Sequence, residues 1–471
     1  MTLGVRRPWD AVNYDELVRQ FPPAPEYFEA MFFAEPEAID RMQLLRLRHR
    51  AQQAVRTPFF ARRWAEAGVT PDDLRTIDDL WKFPSYTVDD IRKSIEDHPP
   101  WGDYQGIRPA DALLEPQRAY FSGGTTGKAR PTLYTQWDRE VSSLFAARYV
   151  YRQGIRPGDV VLNSYQYSTF NGGALFDEAL HHWLNCVVIS TSSGNVTPSH
   201  KQVEMAVEYG ATAILTTGDH LMRLADVAEE LGYDVIKDLK LRVVGGMGDR
   251  KTEAEIRAIL DRVGVAEFYE SYGFHEVGMV AVECPEHDGQ HIFEEGFLVQ
   301  VVDPETGQQV PDGDLGSMVV TEFFKTGSPQ FRYNTLDLST LYPREQCRCG
   351  SWMRRIGNFA GRGDNMVKLR GINIWPEAVG AVAIDGDGVE PDYFVQVQRN
   401  EGRDEMIVSV VSSDDPARYP AQAEALEARL QQHFGVKMVG DVVAPGALDH
   451  LTEVRTGPKS KRFKDERPIA Q

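Results

Sequence analysis

The chemically most suggestive stretch of the chain is Tyr120-Phe121-Ser122-Gly123-Gly124-Thr125-Thr126-Gly127-Lys128. Its glycines let backbone N–H groups approach an anion closely, and its hydroxyls and ammonium add donors, so the residue types suit a phosphate grip. The P-loop of common NTPases requires G-x-x-x-x-G-K-[ST]; here Ser122 stands at its first glycine and Ala129 at its last hydroxyl, so that reading fails. A second run, Gly245-Gly246-Met247-Gly248, follows the apolar Arg242-Val243-Val244. Lys251 occupies the third-glycine position of a dinucleotide fingerprint, which argues against a nicotinamide or flavin enzyme. Gly245 and Gly246 still offer bare backbone for a nucleotide at a strand end. A third segment, Ser271-Tyr272-Gly273-Phe274-His275-Glu276, is read as following a strand directly. Its acid, Glu276, suits Mg²⁺, which takes one or two protein carboxylates together with substrate phosphates.

The cysteines pose a separate question. Cys284, Cys347 and Cys349 share one section of the chain with His287 and His291. Three thiolates and one imidazole complete a closed tetrahedral zinc site, and we take His291, which begins a predicted strand, over His287 as the fourth ligand. Cys186 lies in an apolar strand and reads as a buried thiol. Four cysteines in 471 residues are too few for a disulfide framework.

These residues need a scaffold of at least two packed units, since the chain exceeds the common domain size of about 150 residues. The formal charge of −19 argues against a nucleic-acid surface. No signal peptide is recognisable at the start, and no apolar run approaches the ~18 residues that would span a bilayer, so we expect a cytoplasmic protein with no membrane partner. An amphipathic helix is predicted from Pro36 to Arg56. From Val141 the pattern alternates: helix 141–152, strand 159–165, helix 173–184, strand 186–190, helix 200–209, strand 211–217, helix 221–231, strand 241–245. That alternation predicts a largely parallel sheet covered on both faces. The runs 279–283, 297–302 and 317–323 predict an antiparallel or barrel-like addition. Beyond Asp364, strands 393–398, 405–411 and 437–443 with a helix 421–434 predict a small α+β domain.

In this order the three motifs resemble those of the adenylate-forming superfamily, which holds acyl-CoA synthetases, luciferases and adenylation domains. Ser122–Gly127 departs from that superfamily's [ST]-[ST]-G-T-T-G-x-P only at Gly123, with the proline displaced to Pro131. Arg332-Tyr333-Asn334-Thr335-Leu336-Asp337 is similar to Y-R-T-x-D, and Gly361-Arg362-Gly363-Asp364 with Lys368 and Arg370-Gly371 to G-R-x-D-x-x-K-x-R-G. Gly457-Pro458-Lys459-Ser460-Lys461 resembles the terminal lysine motif. Within the superfamily the chain looks most like the phenylacetate–CoA ligase group; Asp303-Pro304-Glu305-Thr306-Gly307 and Gly371-Ile372-Asn373-Ile374-Trp375-Pro376 add to that likeness. Two departures stand out: His275 replaces Ser or Thr, and Asn334 replaces Arg.

The resemblance implies an α/β fold: an adenylate-forming domain over 1–362, with parallel sheets and a β-rich subdomain, and a mobile domain over 363–471 hinged at Asp364. It implies an ATP-dependent acid–CoA ligase that makes an acyl-AMP and then a coenzyme A thioester, with Mg²⁺ and structural zinc as metals. Lys459, Glu276 and Thr126 carry the catalytic roles, with Lys461 the alternative lysine. Ser122, Gly123, Gly124, Thr125, Thr126, Gly127, Lys128, Gly245, Gly246, Tyr272 and Gly273 hold the nucleotide, while Asp337 and Arg362 contact its ribose. The acid, an aryl one such as a phenylacetate, benzoate or anthranilate, is expected beside Tyr165, Tyr167, Phe170 and His275. A carrier protein, amine or hydroxyl as acceptor, a homodimer, and a non-catalytic nucleotide-binding or zinc-organised protein are the alternatives left open.

Overall fold

The computed structural model describes residues 6–122, 129–246, 253–369, 372–400, 403–452 and 461–467. Contacts divide the chain into two compact units. The first comprises Met1–Thr216, Leu224–Gly248 and Arg262–Asn358; the second comprises Thr217–Arg223, Asp249–Asp261 and Phe359–Gln471.

In the first unit, β1 (Gln117–Ser122) and β2 (Arg130–Thr135) form an antiparallel hairpin. β3 (Val160–Asn163), β4 (Val187–Ser190), β5 (Ala213–Leu215) and β6 (Val243–Gly245) make the parallel sheet, in the order β4-β3-β5-β6. Helix Gly172–Glu178, prolonged by a π-helical turn Ala179–Trp183, connects β3 to β4, and Ser199–Glu208 connects β4 to β5. Parallel neighbours need such crossovers, and the sequence pattern located them to within a few residues. β7 (Ser271–Phe274), β8 (Gly278–Glu283), β9 (Gln290–Ile292), β10 (Phe297–Val302), β11 (Leu315–Glu322), β12 (Tyr333–Thr340) and β13 (Arg355–Ile356) follow. They build two antiparallel layers, β13-β9-β8-β7 and β10-β11-β12.

Helix Gln136–Arg152 runs through the core and is buried continuously from Val141 to Val150. Thr135 and Asp138 form a reciprocal capping box that fixes its start. Phe145 stacks on Phe293 at 5.3 Å, and buried Arg148 pairs with Glu295 while lying 3.7 Å over the Tyr27 ring. Helix Pro36–Ala54 is tied to the β10–β11 layer by Gln43, which donates to the Glu294 and Phe297 carbonyls at 3.0 Å, and by a fully buried Arg50–Glu322 pair at 3.2 Å.

The second unit contains β14 (Gly361–Arg362), the hairpin β15 (Val367–Leu369) and β16 (Ile372–Ile374), and a four-stranded sheet of β17 (Val389–Asn400), β18 (Arg403–Ser412), β19 (Val439–Val443) and β20 (Phe463–Asp465). Helix Tyr419–Phe434 buries Leu426 and Leu430 in the core shared with that sheet and stops at Gly435, whose φ of +70° is the left-handed ending glycine favours. Among the described residues no helix is long and apolar enough to cross a membrane.

Candidate active site

Hairpin register sets Ser122 opposite Arg130, so both ends of the glycine-rich loop are fixed. Gly123, Gly124, Thr125, Thr126, Gly127 and Lys128 themselves lie outside the described residues, as does Lys459. Ser122 Oγ donates to Glu276 Oε1 at 3.4 Å. Expected just beyond a strand, the Ser271–Glu276 motif instead contains one: its first four residues are β7, and Glu276 sits buried in the turn to β8. Val277 N donates to Phe274 O at 3.1 Å, and Gly278 takes φ +88°, which closes that turn.

Three donors clamp the backbone of the turn. Tyr134 Oη and Asn171 Nδ2 donate to the His275 carbonyl at 2.9 and 3.0 Å, and Lys325 Nζ donates to the Glu276 carbonyl. Lys325 is fully buried, its ammonium 3.5 Å from the Tyr134 ring centroid, and no ion pair joins it to a carboxylate among the described residues. Burial lowers its pKa to about 8. The segment carrying it is itself held, because Glu322 accepts from Lys325 N at 2.7 Å and Asp138 accepts from Thr326 N and Gly327 N at 2.8 Å. Sequence reasoning passed over Lys325 and Tyr134; a lone lysine after Phe323-Phe324 was the available signal.

His275 meets Phe170 and Tyr120 edge-on at 6.4 and 6.5 Å, and its buried Nε2 has no hydrogen-bond partner among the described residues. Burial holds its pKa below the ordinary value, which keeps the imidazole neutral. The parallel strands end in step, with Asn163 level with Ser190 and Leu215, and Leu215 level with Gly245. The loops after β3 and β6 therefore share the carboxyl edge of the sheet, where open α/β sheets bind ligands. Tyr165 packs tilted against Phe176, ring centroids 5.0 Å apart, and donates to the Gly246 carbonyl, and Gly246 N donates to Tyr149 Oη at 2.7 Å. A Cβ on Gly246 would come within 2.5 Å of the Tyr165 ring. Tyr167 Oη donates to Asp177 at 2.7 Å and accepts from Asn163 at the same distance.

Asp337 lies in a bulge of β12. Val319 pairs with Asn334 and Ser317 with Leu338, so Met318 alone faces three residues, 335–337. Leu336 takes φ +62°, a left-handed conformation that costs a non-glycine residue roughly 1–2 kcal/mol. Side chains hold the bulge in place. Asn334 Oδ1 accepts from Leu336 N at 3.0 Å and from Ser317 Oγ at 2.6 Å. Thr335 Oγ1 donates to Met318 O at 3.1 Å and accepts from Asp337 N at 3.2 Å. Thus re-aimed, Asp337 Oδ2 accepts from Tyr272 Oη at 2.8 Å; burial and Asp337 together push the Tyr272 pKa well up. Two residues assigned to the nucleotide from separate motifs are in direct contact.

In the second unit Arg362 belongs to β14 and Asp364 to the 3-10 turn Gly363–Asn365. The chain on either side of 453–460 is tied together, with Lys461 N donating to Thr452 O at 2.7 Å. Arg462 is anchored by Asp392 and by Glu255 at 3.5 Å, and lies 5.0 Å over Tyr393.

Cys284, His291, Cys347 and Cys349 converge, their ligand atoms all within 4.8 Å of one another. Cys284 Sγ and Cys347 Sγ are 3.7 Å apart, and Cys349 Sγ is 3.5 Å from His291 Nε2. The sulfurs are unbonded, and a tetrahedron with zinc–ligand bonds of 2.0–2.3 Å has edges of about 3.5–3.8 Å. His291 Nδ1 lies 3.2 Å from the Met353 carbonyl, which makes it the donor and leaves Nε2 with its lone pair. His287 instead meets Glu283 at 3.0 Å and Glu267 at 3.4 Å.

Comparison with known proteins shows the family to which the chain belongs. Residues 89–323 match the AMP-binding enzyme family, and residues 371–467 match the AMP-binding enzyme C-terminal domain. A phenylacetate-coenzyme A ligase of Aromatoleum evansii is 31% identical over 460 residues, spanning 95% of this chain and 98% of that protein. One from Pseudomonas putida is 34% identical over 386 residues, spanning 81% and 84%. Among solved structures, 2-hydroxyisobutyryl-CoA ligase in the postadenylation state, in complex with R3-HIB-AMP, matches with a TM-score of 0.80 at 23% identity, over 95% of this chain and 94% of that one, a likeness of fold. The chain belongs to the adenylate-forming superfamily, in its phenylacetate–CoA ligase-like group, a family of AMP-forming acid–CoA ligases.

Proposed function

We propose that this enzyme activates a carboxylic acid with ATP and passes the acyl group to the thiol of coenzyme A. The observation that carries the reading is the meeting of Ser122 with Glu276 and of Tyr272 with Asp337, in a chain related over nearly its whole length to phenylacetate-coenzyme A ligases. In the first half-reaction an acid oxygen bonds to the α-phosphorus, and the bond to the bridging oxygen breaks, releasing pyrophosphate. In the second, the thiol of coenzyme A gives up its proton to solvent, its sulfur bonds to the acyl carbon, and the bond from that carbon to the phosphate oxygen breaks, AMP departing with the electron pair. The protein's task is to align two anions and neutralise developing charge. Ser122, Thr125, Thr126, Lys128 and Lys459 supply donors to the phosphates, and Asp337 and Arg362 hold the ribose. Asp364 serves as the hinge between half-reactions.

Glu276 fits Mg²⁺, because Ser122 is the sole donor to its carboxylate among the described residues, at a long 3.4 Å. When bound, Mg²⁺ supplies charge neutralisation at the phosphates. Three thiols and one imidazole gathered within 4.8 Å, two of their separations at 3.7 and 3.5 Å, suit structural zinc. An aryl acid suits the aromatic edges of Phe170 and Tyr120 beside neutral His275. Carboxylate-dependent ATP–pyrophosphate exchange across aryl and alkyl acids, without and then with coenzyme A, tests the reading. Exchange with an aryl acid, followed by thioester formation, is expected; exchange without a coenzyme A thioester reassigns the acceptor, and no exchange with any acid refutes the proposal.

A further inference from the structure

We propose that Asn334 is the positioning residue for Asp337, and so governs how strictly the enzyme requires the ribose hydroxyls of its nucleotide. The inference rests on reading Asp337 as the acceptor for those hydroxyls. Three residues of β12 face one of β11, which breaks the two-residue alternation that would otherwise fix the direction of each side chain. The direction of Asp337 then depends on whatever holds the backbone before it. Leu336, with φ +62°, lacks the conformational freedom of glycine. Asn334 accepts the Leu336 N–H at 3.0 Å and is steadied by Ser317 at 2.6 Å. Its amide is buried, and removing an acceptor from a buried donor is costly. With the amide removed, Leu336 relaxes toward negative φ, and the carboxylate of the next residue leaves both Tyr272 and the ribose.

The test measures dissociation constants of the full-length enzyme for ATP and for 2′,3′-dideoxy-ATP by calorimetry, with their ratio as the readout. N334A is expected to reduce that preference about tenfold, the effect of one lost charge-assisted hydrogen bond. The double variant N334A/L336G, in which glycine adopts the left-handed backbone unaided, is expected to restore it to within about twofold. A residue that touched the ligand itself would not be rescued by glycine two positions away. N334Q, whose oxygen is displaced by one methylene, is read the same way if N334A fails to fold. D337N separates the two layers. If D337N leaves the ratio unchanged, the ribose reading falls and this inference with it. If D337N abolishes the preference but N334A and N334Q keep it, or the double variant stays impaired, the positioning role alone is overturned.

Discussion

Lys325→Met opposes stability and activity in one substitution. A pKa lowered from 10.5 to about 8 by burial corresponds to roughly 3 kcal/mol held against the ammonium in the folded protein. Methionine has a similar stem and no charge, so that penalty disappears. The Glu276 carbonyl loses a charged donor, worth roughly 1.5–3 kcal/mol. The two terms nearly cancel, and the thermal midpoint should move by no more than a few degrees in either direction. Activity has no such compensation, because the released carbonyl belongs to the turn that presents the carboxylate of Glu276. Losing a supporting contact of this kind typically lowers activity about 10–100-fold. Thermal denaturation and ATP–pyrophosphate exchange are measured on one preparation. Unchanged exchange, or a fall in exchange matched by a midpoint drop above about 10 °C, would refute the reasoning.

Three further outcomes are expected. K459A should slow acyl-adenylate formation far more than thioester formation from a preformed adenylate; equal losses in single-turnover measurements of the two steps would count against the assigned role. Purified protein should carry one zinc per chain by elemental analysis, C347S should carry none and unfold several degrees earlier, and H287A should keep its metal. Buried Glu140 lies 3.3 Å from His182, and this hydrogen bond raises the His182 pKa above the ordinary 6.5. The stabilisation is complete below pH 6.5 and fades as pH rises through the raised value, so the midpoint gap between wild type and H182Q should be wider at about pH 6 than at about pH 8.5.

Local pattern made much of the architecture legible. The parallel strands fall close to the predicted runs, and β10 occupies 297–302 as expected. Less visible was what required distant residues or a broken period. The β1–β2 hairpin was missed because its strands flank the very loop that drew attention. β12 went unread as a strand because its bulge interrupts the two-residue alternation just where the Asp337 motif lies. No spacing rule links Lys325 to Glu276, or Tyr272 to Asp337; the first pair is 49 residues apart and the second 65. By contrast, three cysteines and two histidines sharing one section of the chain have few joint roles besides holding a metal, so residue type and position came close to naming the four residues that cluster.

The contact between Gly246 and Tyr165 restricts how this edge of the parallel sheet can be remodelled. With the tyrosine ring 2.5 Å from where a Cβ would stand, and its hydroxyl bonded to the Gly246 carbonyl, the two positions share one fixed volume. Bulk added at 246 must be removed at 165, and a smaller residue at 165 opens a gap that glycine cannot fill. Variants that reshape the sheet edge here therefore have to be built as pairs, and a library that randomises either position alone will return mostly damaged proteins.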